Sequence, residues 1–320
     1  MSDTSKPVYR FAVIGGDGRM THLGERLAEE GHAVCFLGCG ETCLSSDARG
    51  HLRVCATLSK AVEEATAVIL PLPATRDGIT VHCPRDPACR VCFSELAALM
   101  KQAPDLRLFG GKLPADLVRE EPRVTDYYES EVLQLRNAYL TAEAALMTAM
   151  ELTDRAVRGT RVAVVGYGRI GRYLSRLLLS LGAEVTVCAR RAESLFEAAA
   201  EGCHPRLLSD GGAMEEMVTP SAAPSVIFNT VPAHVLSRGL LLGLPRDALL
   251  IDLASSPFGV GDEDVRVATA ERGLRYLRAP SLPGAYAPRD AGRIIAECVL
   301  GMLAEEPRTP LAQEKGGEGV

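Results

Sequence analysis

The sequence predicts an α/β fold: two Rossmann-like, doubly wound parallel-sheet domains joined by long helices around a cleft. Three observations carry this. The 320 residues suffice for two ordinary domains. One strand–glycine loop–helix–strand plan occurs twice, in "YRFAVIGGDGRMTHLGERLAEEGHAVCFLG" (9–38) and "TRVAVVGYGRIGRYLSRLLLSLGAEVTVCAR" (160–190). Strand and helix patterns then keep alternating in each half.

In both copies a β-branched apolar run ends in glycine, a helix follows with apolar residues at 3.6 spacing, and Gly31 or Gly182 closes it. The first half continues with strands in "ATAVILPLP" and "LRLFGG". The second continues with "PSVIFNTVP", "DALLIDLASSP" and "GLRYLRAPSLPG". Residues 129–153, rich in Ala, Leu, Met and Glu and free of proline, predict one long linking helix. "DAGRIIAECVLGMLAEE" (290–306) predicts a second, and fold analogy sends it back toward the first domain. The expected organisation is an N-terminal substrate or catalytic domain (1–128) completed by a C-terminal helix (288–306), the linking helix, a dinucleotide-binding domain (154–287) and a flexible tail (307–320).

A net charge of −6 with scattered basic residues argues against a nucleic-acid partner. The N-terminus lacks a signal-peptide pattern and no apolar run reaches membrane-spanning length, so the expectation is a cytoplasmic protein without a membrane partner. The ten cysteines are expected to be free thiols. "HCPRDPACRVC" holds His82, Cys83, Cys89 and Cys92, but no second C-x2-C pair completes a zinc site, so no metal is expected.

Gly166, Gly168 and Gly171 form G-x-G-x-x-G between a strand and a helix. The first glycine makes the turn, the second admits a pyrophosphate and the third lets helix and strand pack closely. With Arg169 and Ile170 they are the candidate cofactor loop. About 20 residues past the first glycine, NAD-binding domains place an acid for the ribose 2′-OH. Here Arg190 and Arg191 fall at that place, which suits the 2′-phosphate of NADP; the competing reading is a solvated helix start. Further strand ends should line the same crevice: Asn229, Thr230, Val231 and Pro232; Asp252, Leu253, Ala254 and Ser255; and Pro283 within "APSLPG". His234 follows the first of these as a weaker acid–base candidate or a surface residue.

The first loop, "GGDGR", has Met20 where the third glycine would fall and Asp17 where a phosphate would approach. That half is therefore expected to bind substrate, with Asp17, Arg19, Thr75, Arg76 and Lys112 at its strand ends.

Through "AVIGGDGR", "LPLPAT", "RNAYLTAEAA", "VVGYGRIGR", "NTVPAHVL", "LIDLASSPFG" and "LPGAYAPRDAGRII", the sequence resembles the dipicolinate synthase A-subunit family over nearly its whole length. The resemblance implies an NADP-dependent enzyme that oxidises dihydrodipicolinate, derived from the cyclised product of dihydrodipicolinate synthase, to dipicolinate in the mother cell of a sporulating bacterium. It also implies a flavoprotein-like B-subunit partner. Such a substrate is a small dicarboxylate that needs cations around it. Arg19, Arg76, Lys112 and Arg289 are candidates to clamp it, Thr141 and Glu143 to orient it and take its proton, and Asp17 to assist loss of water. Lys112 is grouped with the catalytic candidates Asp17 and Glu143, and Thr75, Arg76, Thr141, Arg19 and Arg289 with substrate binding. A homo-oligomer is also open. The sequence departs from the family pattern at Leu140, Ala144, Phe258, Arg289 and Asp290; Arg289 keeps a charge, whereas Asp290 puts a threonine-type substrate contact in doubt. Two other readings stay open: a 2-hydroxyacid dehydrogenase, although no histidine follows His234, and a non-catalytic NADP-sensing module.

Overall fold

The computed structural model describes residues 8–40, 51–208 and 223–305. Two six-stranded parallel sheets form, one per half. The first contains β1 (Arg10–Ile14), β2 (Ala33–Leu37), β3 (Leu52–Val54), β4 (Ala67–Ile69), β5 (Arg107–Gly110) and β6 (Val124–Asp126), in the order β3-β2-β1-β4-β5-β6. The second contains β7 (Arg161–Val165), β8 (Glu184–Ala189), β9 (His204–Leu207), β10 (Val226–Asn229), β11 (Leu249–Asp252) and β12 (Arg275–Arg278), in the order β12-β11-β10-β7-β8-β9. Both orders are that of the dinucleotide-binding fold, whose switch point lies beside its first strand. The expected α/β class, with two Rossmann-like doubly wound parallel sheets, is observed.

Helices in the first half are α1 (Gly18–Glu29), α2 (Leu58–Val62), α3 (Phe93–Gln102) and α4 (Ala115–Glu120). They are followed by α5 (Glu131–Leu152), α6 (Arg169–Ser180), α7 (Ala192–Ala200), α8 (Arg238–Gly243), α9 (Asp262–Arg272), α10 (Leu282–Tyr286) and α11 (Pro288–Glu305). Ser130 caps α5, its hydroxyl accepting from Leu133 N–H. The central strands are apolar on both faces, as parallel strands covered by helices must be: β7 and β10 feed one core with Val162, Val164 and Phe228, and the opposite core with Ala163, Val165 and Ile227.

The chain divides into two compact units: Met1–Gly16, Leu23–Tyr127 and Arg293–Val320 form one, Asp17–His22 and Tyr128–Gly292 the other. The last turns of α11 therefore group with the first sheet, and the start of α1 groups with the second unit. The predicted tail, 307–320, lies outside the described residues, as does Cys43.

One expectation is corrected. Cys35 and Cys55 are joined in a disulfide across the β2–β3 edge, where the sequence suggested thiols throughout. Their Cα atoms lie 6.3 Å apart, within bonding range, because Cys35 pairs with Arg53 in the ladder and Cys55 follows two residues later. Cys39, Cys83, Cys89, Cys92, Cys188, Cys203 and Cys298 are thiols outside any disulfide.

Candidate functional site

Each glycine of the second loop has a separate geometric task. Gly166 follows β7 with φ 97°, where a Cβ would lie 2.2 Å from Thr230 Oγ1. Thr230 locks this turn, its N–H and hydroxyl donating to Val165 O at 2.8 and 2.9 Å. At Gly171 a Cβ would stand 2.1 Å from Gly166 O, so only glycine lets α6 approach the turn. Gly168, the exposed N-cap of α6, has no atom within 4 Å of where a Cβ would be. This opening leads to the unpaired N–H groups of the helix start, a fit for a pyrophosphate.

Arg169, next in the loop, is engaged from α5. Its guanidinium grips Glu131 two-pronged: Nε donates to Oε1 at 2.9 Å, and Nη2 donates to Oε2. That hydrogen bonding holds the Glu131 carboxyl below the usual range. Ile170 packs its side chain on the core. At the end of β8, Arg190 and Arg191 are both exposed, and Arg191 leans on Ser194 Oγ at 3.3 and 3.4 Å.

The strand ends after β10 and β11 require a correction. Asn229 and Asp252, expected to touch a cofactor, are fully buried and spend their polar atoms on their own loops. Asp252 Oδ1 accepts from Asn229 Nδ2 (2.8 Å) and Ala254 N–H (3.2 Å). Its Oδ2 accepts from Gly259 N–H (2.7 Å) and Tyr276 OH (3.2 Å). Asn229 Nδ2 also donates to Val231 O, and its Oδ1 accepts from Val231 N–H. The pair shapes the crevice without facing it. Val231 and Thr230 are half-buried, Leu253, Ala254 and Pro283 buried, and Pro232 and Ser255 exposed. His234 Nε2 lies 3.1 Å from Pro257 O, which makes it a loop tie.

The first sheet uses its switch point differently. Gly16 N–H donates to His82 O at 2.8 Å, and a Cβ on Gly15 would meet Cys83 Sγ at 2.8 Å. Cys39 Sγ donates to Gly15 O at 3.2 Å, and a Cβ on Gly38 would meet Cys89 Sγ at 2.6 Å. Segment 81–89 thus fills the place a phosphate would take. Burial pushes the Cys39 and Cys83 thiols up to about 12. Among the described residues no group of three or more His, Cys, Asp or Glu side chains could hold a metal ion.

Several candidate substrate residues are occupied internally. Arg19 is buried and closes on Asp17 through Nε–Oδ1 and Nη2–Oδ2, both 2.8 Å, while a Cβ on Gly284 would meet both side chains at 2.9 Å. Arg19 therefore cannot swing freely to a ligand, and Asp17 is held as the anion of an ion pair. Thr75 Oγ1 accepts from Gly78 N–H and donates to Asp77, whose carboxyl is held far below its usual range by the Thr80 N–H and hydroxyl and by Ile79 N–H. Arg76 Nε donates to His82 Nε2 at 3.2 Å. Lys112 sits at φ 55°, its N–H bonded to Asp126. Thr141 is buried with its hydroxyl on Asn137 O. Glu143 is half-buried beside a hollow of about 490 Å³ formed with Leu146, Met147, Met150 and Tyr286. Residues two apart on a helix point about 200° apart, so Thr141 and Glu143 do not share a face. Arg289 is exposed, and no partner is seen for it among the described residues.

Sequence reading missed Glu131, Tyr276 and Gly259 as parts of these loops. Their partners are 38, 24 and 7 residues away, so no local pattern could flag them.

Residues 10–120 match the model of the N-terminal domain of dipicolinate synthase A subunits. The resemblance seen in the sequence is borne out as a similarity: the first domain of this chain is like that of the dipicolinate synthase A subunits. Residues 161–295 match the NAD binding domain of 6-phosphogluconate dehydrogenase. The dipicolinate synthase A subunit of Bacillus subtilis (strain 168) is 28% identical over 310 residues, covering 92% of this chain and 96% of that protein. The crystal structure of the corresponding Bacillus halodurans protein superposes with a TM-score of 0.77 at 28% identity, over 93% of this chain and 98% of the other. That of the Bacillus subtilis protein gives 0.76 at 26%, over 95% and 98%. A nicotinamide dinucleotide-binding domain and an oxidoreductase-type architecture follow. Among the described residues no helix is long and apolar enough to cross a membrane.

Proposed function

We propose that the chain is the A subunit of a dipicolinate synthase that oxidises dihydrodipicolinate with NADP+. The observation that carries this is the open cradle at Gly168, in a chain whose first domain is of the dipicolinate synthase type. Dihydrodipicolinate loses a hydride and a proton to become aromatic, and the bound nicotinamide supplies the hydride acceptor. Aromatisation provides driving force, so the protein's task is to hold a dianion in one orientation. With Arg19 committed to Asp17, the candidate cations for the carboxylates are Arg76 and Lys112 at the carboxyl ends of β4 and β5, together with Arg289. Glu143, which makes no ion pair among the described residues, remains the candidate to accept the proton. Residence in the mother-cell cytoplasm and pairing with a B subunit belong to the same proposal.

Purified protein, NADP+ and the freshly cyclised adduct of aspartate semialdehyde and pyruvate should form NADPH and dipicolinate in equal amounts. Glu143→Gln should lower that turnover while NADP+ binding persists. If no dipicolinate forms even when a B subunit is present, the assignment fails.

A further inference from the structure

On the second unit, Arg169, Arg172, Arg176, Arg238, Arg266 and Arg278 each close on a carboxylate. The carboxyl edge of β8 and β9 breaks this habit. Arg190, Arg191 and Arg206 are exposed there, and none has an acidic partner among the described residues. Arg191 touches Ser194 Oγ, and Arg206 Nη1 reaches only the carbonyl of Pro205, at 3.0 Å.

Arg206 is brought there by the ladder. It is the register partner of Cys188, two residues before Arg190. Paired residues of parallel strands lie side by side, so the Arg206 and Arg190 Cα atoms are roughly 8 Å apart, within joint reach of two extended guanidinium groups. Glu193 is the acidic residue in the first turn of α7, and among the described residues no ion pair links it to the three cations. Three like charges on one rim, without acidic partners among the described residues, repel one another unless an anion joins them. Behind them Ser194 is buried, and its hydroxyl already faces Arg191.

We propose that Arg206, from β9, is a third arm of the seat for the 2′-phosphate of NADP, acting with Arg190, Arg191 and the Ser194 hydroxyl. This rests on the NADP reading and extends it to a residue outside the strand–loop–helix motif. The seat is selective because a doubly charged phosphate satisfies three guanidinium groups, whereas the 2′-hydroxyl of NAD leaves them repelling.

Calorimetric titration with adenosine 2′,5′-bisphosphate and adenosine 5′-monophosphate tests this without turnover. Wild-type protein should bind the bisphosphate more tightly, by about tenfold or more. Arg206→Ala should weaken only the bisphosphate, by roughly three- to thirtyfold, and Arg206→Lys should restore part of the loss. Thermal melts should match wild type, because Arg206 lies on an exposed edge strand. If wild type does not discriminate, the NADP reading itself falls and this seat with it. If wild type discriminates and Arg190→Ala loses the preference while Arg206→Ala keeps it, Arg206 is outside the seat. Equal weakening of both nucleotides by Arg206→Ala would likewise overturn the assignment.

Discussion

Gly15 and Gly166 directly follow the first strands of two sheets with the same strand order, and each donates its N–H to the neighbouring strand, to Leu37 O and Cys188 O respectively, at 2.8 Å. Beyond that bond the two turns diverge. After Gly15, the Gly16 N–H is taken by His82 O and the space above is held by Cys39, Cys83 and Cys89. After Gly166, Gly168 stands open and Gly171 lets α6 begin against the turn. The difference teaches that the turn itself is architecture; what the following loops bring over it decides whether it can hold an anion. In the first unit segment 81–89 supplies the carbonyl and thiols that close it.

The strongest test of this contrast is glycine replacement in the open loop. Gly171→Ala puts a methyl group 2.1 Å from Gly166 O, so either helix or turn must move. NADP+ affinity should fall by about a hundredfold or more, with a lower melting temperature. Gly168→Ala has space for its methyl but places it in the ligand's path. Affinity should drop by about tenfold while the melting temperature shifts by no more than a few degrees. Calorimetry and thermal melts on both variants separate fit from fold; unchanged affinity in Gly168→Ala would mean that the phosphates dock elsewhere.

A second comparison sets two strand-end aspartates against each other. Asp252, closing β11, is fully buried with four donors on its carboxylate. Asp126, closing β6, is half-buried and accepts from Lys112 N–H (3.1 Å) and Leu113 N–H (2.9 Å). Truncating Asp252 strands buried donors, so Asp252→Ala should cost about 3 kcal/mol in urea unfolding. Asp126→Ala, with its donors nearer solvent, should cost about 1 kcal/mol. Equal losses would show that the buried network is no more than a surface cap.

How much of this was readable in advance follows from the range of the interactions. The open loop was legible because its three glycines, strand and helix are contiguous, and so was the missing acid after β8. The fold class was legible for the same reason, since apolar runs and glycine turns are local signals. The fates of Asp252, Asn229 and Arg19 were not. An aspartate at a strand end looks the same in sequence whether it faces a ligand or accepts bonds from Tyr276 and Gly259 in its own core. Arg19 lies two residues from Asp17, yet its burial depends on the LPGAY turn, whose Gly284 has no side chain to keep the pair at a distance. The Cys35–Cys55 bond depends on β2–β3 register, which spacing alone does not set.

The smallest expected effect concerns the one cation that the open loop does not leave free. Arg169 begins α6 beside the Gly168 opening, and Glu131 holds it across two hydrogen bonds. Both side chains are about half-exposed, at 45% and 59%, so the pair is screened and worth little. For Arg169 to reach a pyrophosphate it must give up this carboxylate, which makes Glu131 a competitor for the same guanidinium. Glu131→Gln removes the competing charge and keeps the shape, so NADP+ affinity should rise by about two- to fivefold, more at low salt than at high. Protonation should do the same. The Glu131 carboxyl is held below its usual range by Arg169, so the pair persists as pH falls through the ordinary carboxylate region and is released only below it. Above that region the affinity ratio between variant and wild type should therefore stay constant with pH. A drop in affinity on Glu131→Gln would mean that the carboxylate positions Arg169 for the ligand instead of competing with it, and the open loop would then depend on α5 for its shape.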